Sequence, residues 1–175
     1  MLCVGLTVVG AAPVIRVDAS AKPAAGPWLE QGRKLAEEWY PRIDNLLSTE
    51  GFSPPVPSIV LRVQDSDTGV GHTANGVITV MSGWIEREPG DLGLVVHEIV
   101  HVVQAYPAGA ESWVTEGIAD YIRWAIYEGK PAGWFPVDAK PQGYRSSYRV
   151  AAGFLFWLES GPAPGIVRRL KTSCR

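Results

Sequence analysis

Leu92-Gly-Leu-Val-Val-His-Glu-Ile-Val-His-Val-Val103 is the stretch whose reading decides the fold. Almost every residue in it is apolar, yet His97, Glu98 and His101 spell H-E-x-x-H. A helix places residues four apart on one face, so both imidazoles can reach one ion, while Glu98 stands beside the first histidine without having to be a ligand. An imidazole or carboxylate buried in such a helix is costly unless it is paired or bound to a metal. Two of the three histidines of the chain, His72, His97 and His101, fall in this one motif.

Trp113-Val-Thr-Glu-Gly-Ile-Ala-Asp120 follows, with two acids four apart in a largely apolar segment. Glu116 can complete a two-histidine, one-carboxylate set that leaves a coordination position open, as hydrolytic zinc sites do. Asp120, one turn on, can accept the other ring N–H of His97 or His101 and fix its tautomer. Other readings remain open: Glu116 as a helix cap with Asp120 in solvent, the two acids exchanging roles, or His72 as a ligand. A longer motif ending in a third histidine is excluded, because its Gly and His positions hold Gln104 and Pro107.

Around this centre the chain reads as an α+β domain. A helix is expected over 28–47, bent or restarted at Pro41, then a buried strand over 58–63 and an irregular excursion over 65–75. Asn75-Gly76 is the strongest hairpin signal and leads into a strand at Val77, Ile78, Thr79 and Val80. A short polar helix begins at Trp84. Asp91 is expected to cap the metal-bearing helix, which stops before Pro107. Further helices are expected over 111–127 and 146–159. This order packs a small mixed sheet against the H-E-x-x-H helix.

Composition bounds the rest. The chain has 175 residues, 46% hydrophobic and 19% charged, with a formal net charge of −2. That is a globular chain of one domain, with no electrostatic case for nucleic acid. Arg168-Arg169-Leu-Lys171 reads as a solvated basic helix end. Residues 1–14 are apolar and uncharged, too short for a membrane span, and resemble the core and small-residue end of a signal peptide lacking its positive start. The expected layout is therefore a leader remnant over 1–14 and one domain over 15–175, with no integral membrane segment. Cys3 and Cys174 have no metal-ligand neighbours and could pair only if the termini meet.

Several segments in order carry a family likeness: Glu37-Glu-Trp-Tyr-Pro41, Gly51-Phe-Ser-Pro-Pro55, Gly76-Val-Ile-Thr-Val80, Val95 to Gln104, Glu116 to Trp124, and Ser147 to Leu155. Over roughly residues 15–170 the chain resembles the plant-type basic secretory protein family, within the zincin-like metallopeptidases whose third ligand is glutamate. The resemblance implies a secreted protein of zincin-like fold, with Zn2+ on His97, His101 and Glu116 and with Glu98 as catalytic base. Family domains usually continue past the point where this chain stops, so a truncated C-terminus is expected. The chain is slightly acidic, so partners chosen by basic charge are not carried over.

The expected function is zinc-dependent endopeptidase, with a peptide or protein as substrate. Glu98 would take a proton from water activated by the metal and pass it to the leaving amine. The strand Val77–Val80 would add an extended peptide as an edge strand. Tyr148 is the expected donor to the developing oxyanion, with Tyr144 and Arg149 as competitors and a plain core-closing aromatic as the other reading of Tyr148. The rival function is a secreted zinc-containing binding or defence protein that hydrolyses little. A closed structural-metal domain is the third reading.

Overall fold

In β1, Val14–Asp18, and β2, Ser58–Gln64, apolar residues recur at alternate positions, the pattern of strands laid on a core. The computed structural model describes residues 12–47, 56–107 and 109–173. Cys3, Cys174, most of the apolar 1–14 stretch and the family-like segment Gly51–Pro55 lie outside them. With β3, Gly71–Ala74, and β4, Val77–Met81, the strands form one sheet in the order β1-β2-β4-β3. β1, β2 and β4 run parallel, and β3 lies antiparallel at the edge.

The Asn75-Gly76 signal is borne out: both residues have positive φ, 50° and 74°, in a two-residue turn pairing Ala74 with Val77. Its corollary corrects two expectations. Gly71–Ala74 is a strand inside what reads as an irregular excursion, because a hairpin needs a partner on both sides of its turn. The segment Val77–Val80 is consequently not an edge. β4 is hydrogen-bonded to β2 on one side and β3 on the other, and Ile78, Thr79 and Val80 are all buried. It has no free backbone groups to offer a peptide; those belong to β3.

Helix α1, Gly26–Leu47, buries Leu29, Ala36, Ile43 and Leu47 on one face and runs through Pro41 without ending. It packs on β1, β2 and the metal-motif helix α3, Gly93–Gln104. Between them comes α2, Ser82–Arg87. Helix α3 is buried all round except at His101, and it ends where Ala105 turns left-handed, φ 47°. Asp91 does not cap it: its carboxylate instead accepts from Trp84 Nε1 and Arg123 Nη2.

The expected helix over 111–127 is α4, Ser112–Asp120, continued by a wider π-helical stretch, Tyr121–Tyr127. α5, Tyr148–Ser160, starts from Ser147, whose hydroxyl accepts from Val150 N–H, and α6, Ile166–Ser173, closes the chain. The basic end of α6 is a solvated face only in part: Arg168 and Arg169 are exposed, but the cations are also used structurally. Lys171 is fully buried, and Arg168 donates to the Asn45 and Leu46 carbonyls at the end of α1.

One contact in this assembly bears directly on the cleft. Gly117, which weakens α4 as a helix, lets α5 approach: a Cβ there would stand 2.8 Å from Ala151 Cβ and 3.4 Å from Leu155 Cδ1. Gly117→Val should force the two helices apart and lower stability by about 1–3 kcal/mol, the usual cost of overpacking. Chemical denaturation measures it, and an unchanged midpoint would show that α5 is not held by this contact.

Candidate metal centre and its cleft

His97 and His101 sit one turn apart on α3, and Glu116 is presented by α4, which packs against it. His97 Nε2 lies 3.1 Å from His101 Nε2 and 3.2 Å from Glu116 Oε2, and His101 Nε2 lies 3.5 Å from the same oxygen. Among the described residues this is the group of histidine and acid side chains able to hold a metal ion. Donors about 2.0–2.1 Å from a tetrahedral zinc stand roughly 3.3 Å from one another, so the triangle has the right size as well as the right chemistry.

The outer ring nitrogens explain why the lone pairs converge. His97 donates Nδ1–H to Asp120 Oδ1 at 2.9 Å, because a carboxylate can only accept. That turns Nε2 toward Glu116, and it is the Nε2 proton that a metal ion would replace. His101 donates Nδ1–H to Gln104 Oε1 at 2.9 Å, and the Gln104 amide is fixed the right way round because its NH2 group donates to Thr115 O at 3.0 Å. Gln104 thus ties the second histidine to the residue preceding Glu116. The residue pattern did not assign it this role, although a buried glutamine three residues after a ligand histidine was a readable signal.

Electrostatics agree with geometry. Burial works against a charged His97 imidazolium, but the carboxylates of Asp120 and Glu116 outweigh it and raise the pKa to about 9. Burial likewise favours a neutral Glu116, and here the two imidazoles prevail and lower it to about 2. Both shifts have one meaning: the triangle stabilises positive charge at its centre.

Glu98 is 3% exposed and is held from the edge strand. Thr73 Oγ1 donates to Glu98 Oε2 at 2.7 Å, while the bare Cα of Gly71 leaves room beside Oε1, 3.3 Å from where a Cβ would stand. Neither β3 residue was singled out in sequence, since the strand itself was not recognised. His72, exposed on the same strand, lines the cleft but is not part of the metal cluster.

All these groups line one open cleft of about 1490 Å³. Tyr148, at the first position of α5, also lines it and is half exposed. The negative charge of Glu116, then burial, then Asp120 raise its phenol pKa, so the hydroxyl keeps its proton. Tyr144 is placed elsewhere: its ring packs on Trp113 and Phe154, with centroids 4.7 and 4.9 Å away. Arg149 lines the cleft beside Tyr148.

A family model described as "Peptidase of plants and bacteria" matches residues 31–175. No curated protein and no solved structure matches the chain.

Gln104→Leu removes the acceptor of His101 Nδ1–H, and Asp120→Asn replaces the charged acceptor of His97 Nδ1–H with a neutral amide; both leave the three donors in place. Each is expected to weaken zinc affinity by roughly 10- to 100-fold, less than His97→Ala or Glu116→Ala. Competition against a chelator of known affinity measures this, and wild-type affinity in Gln104→Leu would remove Gln104 from the site.

Proposed function

The chain belongs to this family of plant and bacterial peptidases, and we propose that it is a zinc-dependent endopeptidase working through the cluster on α3 and α4. The observation that carries the reading is the convergence of His97 Nε2, His101 Nε2 and Glu116 Oε2 beside the Glu98 carboxylate in an open cleft. His97, His101 and Glu116 would hold Zn2+, which supplies Lewis acidity that makes a water acidic near neutral pH and polarises a carbonyl.

The remaining steps belong to side chains and backbone. Asp120 and Gln104 keep both Nδ1 atoms protonated, so the Nε2 lone pairs stay directed at the centre. Glu98 takes the proton of the attacking water and hands it to the leaving amine, with Oε2 held by Thr73 so that the carboxylate does not wander. β3 presents the free edge of the sheet along the cleft, and an extended peptide pairing with it brings its scissile bond past Glu98. Tyr148 donates its phenol hydrogen to the carbonyl oxygen as negative charge develops there.

Substrates of protein or peptide nature follow from the family. Among the described residues no helix is long and apolar enough to cross a membrane. The apolar residues 1–14 and the family resemblance support a secreted protein.

Glu98→Gln is nearly isosteric and should keep zinc and fold while lowering kcat by on the order of 10²-fold or more. An unbiased peptide library with metal analysis on the same sample checks both halves, and an unchanged kcat would remove Glu98 from the chemistry. Tyr148→Phe should retain stability and zinc with kcat reduced by about 10²-fold, while Tyr144→Phe, whose ring is stacked away from the cleft, should cleave at close to the wild-type rate. The opposite ranking would transfer the donor role to Tyr144.

A further inference from the structure

Three cations surround one pair of indoles, of which Trp124 lines the cleft. The Trp124 and Trp134 rings lie 4.9 Å apart, tilted by 35°. Arg123 stands over Trp124 at 3.9 Å, Lys130 over Trp134 at 5.6 Å, and Arg149 against both, at 5.1 and 5.2 Å. Two of the three charges are answered by carboxylates. Arg123 pairs with Asp91 at 2.6 Å and Glu128 at 3.4 Å, and Lys130 with Glu128 at 3.6 Å. Arg149 is exposed and has no carboxylate within 4.0 Å among the described residues.

The acids of the cleft do not serve it either. Asp120 is taken by His97, Glu116 stands between the two imidazoles, and Glu98 is bonded to Thr73. Arg149 adjoins Tyr148 on α5, and both also line a smaller pocket with Asp120, Pro136 and Ser147. Cation–aromatic contact restrains the guanidinium and leaves its N–H edge free for a planar anion. A carboxylate is the group a peptide offers that matches this fork.

We propose that Arg149, held on the Trp124–Trp134 pair, is a specificity-determining residue that binds a carboxylate of the peptide substrate. The proposal rests on the peptidase reading of the cleft. Two sources share the chemistry: an Asp or Glu side chain near the scissile bond, or the C-terminal carboxylate of the peptide.

The test uses peptides cleaved from an unbiased library, remade with each acid changed to its amide and, separately, with the C-terminus amidated. Removing the responsible carboxylate should lower wild-type kcat/KM by roughly 10-fold or more, and Arg149→Gln should abolish the difference while leaving cleavage of the neutral peptide near wild type. Loss on Asp→Asn or Glu→Gln identifies a side chain, and loss on amidation identifies the C-terminus. Arg149→Glu should turn the preference toward a basic residue at the same position.

Equal cleavage of acidic and neutral peptides by the wild type overturns the proposal and leaves the peptidase reading intact. An equal fall on both peptides in Arg149→Gln also overturns it, because that marks an oxyanion donor. Equilibrium binding of the acidic and amidated peptides to zinc-loaded wild type and Arg149→Gln separates the two readings. Acid-selective binding lost in Arg149→Gln, without hydrolysis by the wild type, supports the carboxylate site and refutes the peptidase reading.

Discussion

Three lone-pair donors aimed at one point repel each other unless a cation stands among them. His97, His101 and Glu116 are held in that arrangement at separations of 3.1–3.5 Å, and much of the surrounding architecture serves to hold them there. The apolar body of α3 anchors the helix that carries two of the donors, with His97 buried and His101 at the cleft. Asp120 and Gln104 satisfy the outer nitrogens, so neither imidazole gains by turning round. The hydrogen bond from Gln104 to Thr115 O joins α3 to α4 one residue before Glu116, so ligand spacing and helix packing are the same constraint.

The second ring of structure positions the cleft walls. Gly93 opens α3 with no side chain, and a Cβ there would meet Glu128 Oε1 at 2.5 Å and Arg123 Nε at 3.1 Å. This close approach brings the Arg123–Glu128 ion pair against the start of α3. Gly117 does the same for α5, which carries Tyr148 and Arg149 at its first turn. A π-helical stretch after Asp120 changes the rotation per residue and sets where Arg123 and Trp124 emerge. Two glycines thus allow the elements that carry these cleft residues to pack closely.

On the third side lies the edge strand. β3 has no hydrophobic pattern, and its residues are held by pairing with β4 and by the Thr73–Glu98 bond. A strand that is polar and short makes a poor template for aggregation yet leaves its backbone groups open along the cleft. The carboxylate of Glu98 is thereby attached both to α3 and to the strand that borders the cleft.

Local pattern determined a good deal of this protein. The period of α1 and α3, the left-handed Asn75-Gly76 turn, and the i,i+4 pairing of His97 with His101 are consequences of backbone geometry over a few residues, and so they are legible in order along the chain. Glu116 and Asp120 were legible as candidates, because two acids at helical spacing in a largely apolar segment need a reason. What tertiary structure alone decided is which groups meet across elements. Nothing local says that β4 lies inside the sheet and β3 at its edge, since an all-apolar strand reads alike in either place until its neighbours are known. Nothing local says that Asp120 serves His97 and Gln104 serves His101, that Lys171 is buried, or that Arg149 faces two indoles without a carboxylate. Sequence periodicity fixes the direction of a side chain relative to its own helix or strand, whereas its partner depends on how two elements pack, and that is set by the fit of the whole core.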